Sequence, residues 1–207
     1  VRNTARHYEE THPGWIVVAA VNGDGFDING TKQPNNIHVQ EGDVLQTNIS
    51  PIQIGWEADN TPKFGNSATL SKQMMVQIMN GSKVDEELPV AAVNTTPSAT
   101  GITVLTKDMA EAVDLTGYTV YVGKYDLCRI SKHTNLPFVK GTIESITSEL
   151  GVDKPNETEE YKNVREFYLV SKDGSLEGKV SEGTYVRCQY PITGEWAEID
   201  NIISGFG

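Results

Sequence analysis

Positive charge is scarce in this chain: 17 Lys and Arg stand against 28 Asp and Glu, a net charge of −11 over 207 residues. A nucleic-acid binder needs a basic footprint for the phosphates, and an anionic membrane surface would repel such a protein, so both partners are disfavoured. Long apolar runs are missing too. None approaches the eighteen or so residues of a membrane-spanning helix, and no basic-then-apolar leader follows Val1. The first residue is not Met, and the start reads as cut. No Gly-x-Gly-x-x-Gly or Gly-x-x-x-x-Gly-Lys-(Ser/Thr) phosphate loop occurs, which disfavours nucleotide-binding enzymes of those kinds. The four histidines, His7, His12, His38 and His133, are scattered and form no His-x-x-x-His pair. Cysteine is nearly absent. Cys128 and Cys188 each lie in an alternating, strand-like stretch, which allows either a disulfide suited to an exported protein or two separate buried thiols. Neither has a His or a second Cys at zinc-ligand spacing.

Glycine is plentiful, with 19 residues, and nine prolines join it. Many turns and short strands are expected, with ample length for a real core. Residues 1–12 read as the end of an amphipathic helix that Pro13-Gly14 stops. Residues 15–21, Trp-Ile-Val-Val-Ala-Ala-Val, are short, unbroken and β-branched, which predicts a buried strand. Residues 37–47 predict a hairpin around Glu41-Gly42-Asp43, and residues 51–56 another strand closed by the turn residues at 59–62. A half-buried strand is expected at 69–79. Asn80-Gly81 then favours a type I′ turn, with an antiparallel return over 82–93 that Pro89 keeps off the middle of a sheet. The polar segment 94–101 is the candidate internal boundary. Further strands are read at 102–106, 118–125, 127–132, 138–146, 167–170 and 184–190. One or two helical turns are read at 107–113 and a short helix at 195–203. The acidic stretch 147–161 reads as a surface loop. About ten strands and little helix give a β-rich α+β class, with a mixed or antiparallel sheet and few short helices.

The polar chemistry concentrates after the apolar run, in Asn22-Gly23-Asp24-Gly25-Phe26-Asp27. Glycines supply positive-φ freedom while Asn and Asp supply clustered side-chain oxygens. One reading is a hairpin turn whose side chains bond only their own backbone. The other is a site, since glycosidases commonly work with two carboxyl groups, one a proton donor and one a nucleophile or base. Asp24, Asp27 and Asn29 also form a set of oxygen ligands suited to calcium, although their spacing does not follow the EF-hand loop. A second acidic pair, Glu57 and Asp59, stands beside Trp56, where an aromatic could stack on a sugar; a strand end with solvated acids is the plainer reading. Asn-x-(Ser/Thr) sequons occur at Asn29, Asn48, Asn80, Asn94 and Asn156.

The run Ala20-Val21-Asn22-Gly23-Asp24-Gly25-Phe26-Asp27 resembles the Ala-(Val/Ile)-Asn-Gly-(Gly/Asp)-Phe-Phe-Asp signature of the phosphodiester glycosidase family. The preceding residues 8–15 resemble that family's helix, Pro-Gly, strand entry, and residues 38–45 its strand-turn-strand. Trp196 followed by Ile202-Ile203-Ser204-Gly205 resembles its Trp, then Ile-x-Gly-Gly segment. Gly25 stands where a second aromatic is usual. The family's later Arg-Thr pair and terminal Leu-Asp-Gly-Gly-Gly-Ser are absent. The resemblance implies a single glycosidase-like domain over 1–207, incomplete at both ends, exported or on a cell surface, hydrolysing a sugar-1-phosphodiester. It implies catalytic roles for Asp24 and Asp27, substrate binding by Asn22 and Gly23, and no required cofactor. A carbohydrate or sugar-phosphodiester is the expected partner, with the remainder of the domain completing the site. The alternative is a non-catalytic carbohydrate-binding or structural module that keeps this fold.

Overall fold

Alternation of apolar and polar residues governs much of this chain, and in the computed structural model 47% of the described residues are strand, with two α-helices among them. The structure describes residues 2–18, 24–27, 29, 33–49, 52–65, 68–130, 137–148 and 165–204. In order, the elements are α1 (Arg2–Thr11), β1 (His38–Gln40), β2 (Asp43–Gln46), β3 (Gln53–Trp56), β4 (Pro62–Gly65), β5 (Thr69–Leu70), β6 (Met75–Asn80) and β7 (Lys83–Val93). There follow β8 (Ile102–Thr106), α2 (Lys107–Ala112), β9 (Thr119–Ile130), β10 (Pro137–Thr147), β11 (Glu166–Ser171), β12 (Tyr185–Gln189), β13 (Ile192–Thr193) and β14 (Asn201–Ser204). A single 3-10 turn, Gly194–Trp196, precedes β14. The expected β-rich class is what forms.

Seven strands close into a barrel in the order β10-β12-β6-β7-β8-β11-β9. Along β12, Val186 and Cys188 enter the buried core with Val76, Leu88, Val104, Val139, Ile143, Phe167 and Leu169. Their sequence neighbours Arg187 and Gln189 point the other way, as strand alternation requires. Two glycines let the barrel curve. A Cβ on Gly123 would lie 2.2 Å from the Phe167 ring, and one on Gly141 2.1 Å from the Lys124 carbonyl oxygen. Gly141 sits where the β9–β10 register slips, which bends the pair. Outside the barrel wall, Ala110 of α2 packs with Leu105, Leu115, Val120, Tyr168 and Val170 in a separate apolar cluster.

The β6–β7 hairpin forms, but not through the expected type I′ turn on Asn80-Gly81. Asn80 pairs with Lys83 as a strand residue, and the two-residue loop is Gly81-Ser82 with positive φ (+64°) at Gly81 alone, a type II′ pattern. Pro89 is accommodated for a specific reason. The Val90 amide donates to the Met74 carbonyl, so the alternating Pro89 nitrogen faces away from β6. Pairing with β8 begins only at Val90, so no donor is lost there. Residues 94–101, read from sequence as a candidate boundary, connect β7 to its parallel neighbour β8, and both strands feed the same core cluster. Parallel neighbours usually need a long crossover. Here Val93 pairs with Val104 and Val90 with Ile102, so the chain retraces only about 10 Å. Asp173 fastens this connection: its Oδ2 accepts from the Gly101 amide at 2.7 Å. Hydrogen bonds from Ser175, Gly101 and Ser171 hold its carboxyl well below the usual range.

The second layer is a five-stranded sheet in the order β2-β1-β14-β3-β4. The β1–β2 hairpin forms where expected, turning through Glu41 (φ 52°) and Gly42 (φ 77°). Below the sheet, Trp196 is buried with Ile37, Val39, Val44, Ala68, Ile199 and Ile202. Burying each such large apolar side chain contributes about 1.5–3 kcal/mol. Gly55 permits this packing, since a Cβ there would meet Ile199 at 2.6 Å and the Asn201 carbonyl at 2.7 Å.

Two further sequence expectations are corrected. The helix read at 195–203 is one 3-10 turn followed by a strand, because residues 201–204 are captured between β1 and β3. The run expected as a buried strand from Trp15 is irregular and mostly exposed over its described residues: Trp15 is 63%, Ile16 78% and Val18 93% exposed, with Val17 half-buried. Its remainder, residues 19–21, lies outside the described residues, as does most of the acidic 147–161 stretch. Helix α1 forms as expected, yet none of its residues is buried. Finally, Cys128 and Cys188 both pair with Val139, from opposite sides of β10. Two strand spacings put their Cα atoms about 10 Å apart, beyond the ~7 Å reach of a disulfide. Cys188 is a free, buried thiol.

Candidate functional site

The acidic turn is built by a short antiparallel crossing of residues 24–27 and 33–36. Phe26 bridges Pro34, flanked by the Asp27 amide on the Gln33 carbonyl at 3.0 Å and the Asn35 amide on the Gly25 carbonyl at 2.8 Å. Those two bonds bracket the Phe26–Pro34 pair and leave it non-hydrogen-bonded, the position where proline's missing N–H costs nothing. This crossing aims the Asp24 carboxylate at Asn36. Asp24 Oδ1 accepts from Asn36 Nδ2 at 2.9 Å, and Oδ2 accepts from the Asn36 backbone N–H.

A further layer fixes Asn36 in turn. Asn48 Nδ2 donates to Asn36 Oδ1 and to the Asn35 carbonyl, each at 2.9 Å. Gln46, fully buried at the end of β2, donates from Nε2 to Gln33 Oε1 at 3.2 Å and to the Pro34 carbonyl at 3.1 Å. The bland turn reading is therefore incomplete. Asp24 bonds a segment twelve residues away, not its own backbone. The result is a half-buried carboxylate of fixed orientation two residues before a 55% exposed aromatic, Phe26. Fixed acceptors and an exposed aromatic face suit a sugar, whose hydroxyls need the former and whose C–H face stacks on the latter.

The structure brings Asp24 and Asp27 onto one strand of this crossing, with Asp27 half-buried. Asn22 and Gly23 lie outside the described residues. Among the described residues, no group of three or more His, Cys, Asp or Glu stands together to hold a metal ion. Both Asp24 oxygens accept from N–H donors, which occupy lone pairs that a cation would use. The Glu57/Asp59 pair is the turn of the β3–β4 hairpin. Asp59 Oδ1 accepts from the Thr61 amide at 2.8 Å, which lowers its pKa, and Asn60 turns at φ 69°. His12 stacks on Tyr8 at 4.0 Å and caps its own helix end, a local role.

A second constellation was not legible as one. On the outward face of the barrel, Lys140, Arg187, Gln77 and Glu87 form a continuous row across β10, β12, β6 and β7. Asp43, at the start of β2, drops onto this row. Its Oδ1 accepts from Arg187 at 2.9 Å and its Oδ2 from Lys140 at 3.0 Å. Arg187 Nε donates to Gln77 Oε1 at 2.7 Å, and Gln189 bridges Gln77, the Gly42 carbonyl and the Val44 amide. Glycine suits position 42, which turns at φ 77° and where a Cβ would sit 3.1 Å from the guanidinium and press it aside. Burial and the Asp126 and Asp43 carboxylates push the neighbouring Tyr185 hydroxyl up to about 12. The available signal was Val186-Arg187-Cys188-Gln189, where polar residues alternate with core residues in a strand that must also be covered outside.

No family model matches this chain, and no curated protein matches it. A solved structure, of a hypothetical protein from Synechocystis, aligns over 90% of the chain at 14% identity with a TM-score of 0.36. The chain spans 31% of that protein's length, and at this similarity the likeness carries no statement about fold or activity. No helix among the described residues is long and apolar enough to cross a membrane.

Proposed function

We propose that this chain is an exported or cell-surface phosphodiester glycosidase-like domain that hydrolyses a sugar-1-phosphodiester of the N-acetylglucosamine type. The observation that carries this reading is the Asp24 carboxylate, held on both oxygens by Asn36 and two residues before the exposed Phe26. A carboxylate so oriented can act on the developing positive charge at the anomeric carbon, as nucleophile, base or electrostatic partner. Asp27 supplies the second carboxyl group. The Asn22 amide and the Gly23 backbone position the substrate, by the resemblance of the turn. Water adds across the C1–O bond, giving free sugar and a phosphomonoester. The exposed Trp15, Ile16 and Val18 support a covering segment, from the same domain or an associated fragment, that completes the site.

A second reading is favoured by the same anchoring. Because Asn36 already engages both Asp24 oxygens, the turn serves equally as a rigid, non-catalytic carbohydrate-binding edge. The test offers the purified chain a panel of sugar-1-phosphodiesters and quantifies free sugar against Asp24→Asn and Asp27→Asn. Release that either variant reduces by a hundredfold or more, as loss of a catalytic acid–base group implies, supports hydrolysis. Sugar binding without release by the folded chain sinks the enzyme reading and leaves the binding module.

A further inference from the structure

Strand β2 is gripped at both ends. At its start, Asp43 is held by Arg187 and Lys140 of the barrel, and Gln189 clamps the Gly42 carbonyl and Val44 amide on either side of it. At its end, Gln46 holds Gln33 and the Pro34 carbonyl, and its own Oε1 accepts from the Thr47 amide at 2.9 Å. Two residues on, Asn48 holds the Asn35 carbonyl and Asn36. Asn36 in turn makes both bonds to Asp24. All four residues of β2 are buried, so a strand only about 10 Å long joins the barrel clamp to the acidic turn without a flexible link.

We infer that Asp43 is a positioning residue: anchored on the barrel by Arg187 and Lys140, it sets through β2 the orientation of the Asp24 carboxylate. A merely structural Asp43 would hold the sheet on the barrel and leave the Asp24–Asn36 bond unchanged in the folded protein. The two roles separate because one is local geometry and the other global stability. Spatial intermediacy alone does not establish coupling, so the test must read the far end directly. The consequence for activity rests on the reading of the Asp24 turn as the site; the coupling itself does not.

The experiment records amide resonances of the full chain with the Asn36 N–H, the donor to Asp24 Oδ2, as reporter. A short bond to a carboxylate draws that proton downfield. In Asp43→Asn the Asn36 proton moves upfield, while Val104 and Leu169, paired across β8 and β11 on another side of the barrel, keep their positions. Lys140→Met, at the least buried member of the clamp, shifts Asn36 in the same direction by less, and decides the question should Asp43→Asn not fold. Gln46→Met, which cuts the far end, reproduces the shift. An Asn36 resonance unmoved in the folded Asp43 or Lys140 variant overturns the inference. Because no substrate is present, this outcome is independent of whether the chain hydrolyses a phosphodiester.

Discussion

Replacing Asp43 by Asn tests how the two layers are held together, because it changes charge and almost no volume. The side chains of Asp43 and Arg187 are only 10% and 6% exposed, and that of Lys140 is 24% exposed. Removing the shared carboxylate charge leaves two cations facing a neutral amide in a largely dry seam. Breaking a buried pair from one side costs about 3–5 kcal/mol, and the water that reaches Lys140 places this case near the lower end. The molecule carries its own control. Lys179 and Glu86 also pair, at 2.6 Å, yet their side chains are 43% and 42% exposed. Exposed pairs are worth about 0–1 kcal/mol, whatever their distance. Urea unfolding reads both. With a slope of about 2–3 kcal/mol/M, Asp43→Asn lowers the midpoint by roughly 1–2 M at unchanged slope, and Glu86→Gln by less than about 0.5 M. Adding Arg187→Met to Asp43→Asn costs less than the sum of the two, since both remove one interaction. Equal midpoint shifts for Asp43→Asn and Glu86→Gln would refute the argument, by showing that the seam is as wet as the surface.

Two other outcomes are expected. Burial pushes the Cys188 thiol up to about 12 from 9.0, and Tyr185 shifts the same way. The unfolded chain therefore ionises first, so the stability contributed by the neutral groups is complete below pH 9 and lost as the pH rises towards 12; Cys188→Val makes that decline in urea midpoint shallower. Gly141→Ala drives a methyl against the Lys124 carbonyl and the Tyr125 Cα, backbone atoms that cannot rotate aside, and costs about 3 kcal/mol or more in the same assay.

Local rules made much of this fold legible. Glu41-Gly42 encodes its turn in the residues themselves, Asn80-Gly81 marks a hairpin whose loop falls one residue later, and Ile102–Thr106 is a short, mostly apolar run with four of its five residues buried. What stayed hidden was decided at long range. Residues 201–204 carry no strong strand signal of their own and become a strand because β1 and β3 leave a place between them. Trp15 to Val18 read as core because apolar β-branched residues usually are, but composition cannot say whether a covering layer exists. Of the candidate site, the turn itself was visible in its Asp, Asn and Gly residues. The partners that fix it were not: Asn36 lies twelve residues from Asp24, and Arg187 lies 144 from Asp43. Pairings of that separation leave no periodic trace.

The position of β14 has a consequence for how the molecule is made. Strand order β2-β1-β14-β3-β4 puts the latest-synthesised of these five strands at the centre, with β1 and β3 as its immediate neighbours. Until residues 201–204 leave the ribosome, the two halves of this sheet have no strand to join them, and Trp196 has not yet acquired Ile202 as a packing partner. The barrel's strands are all complete by Gln189, twelve residues earlier. Translation order thus delivers a barrel first and a divided sheet beside it. Four residues then convert two ribbons into one surface.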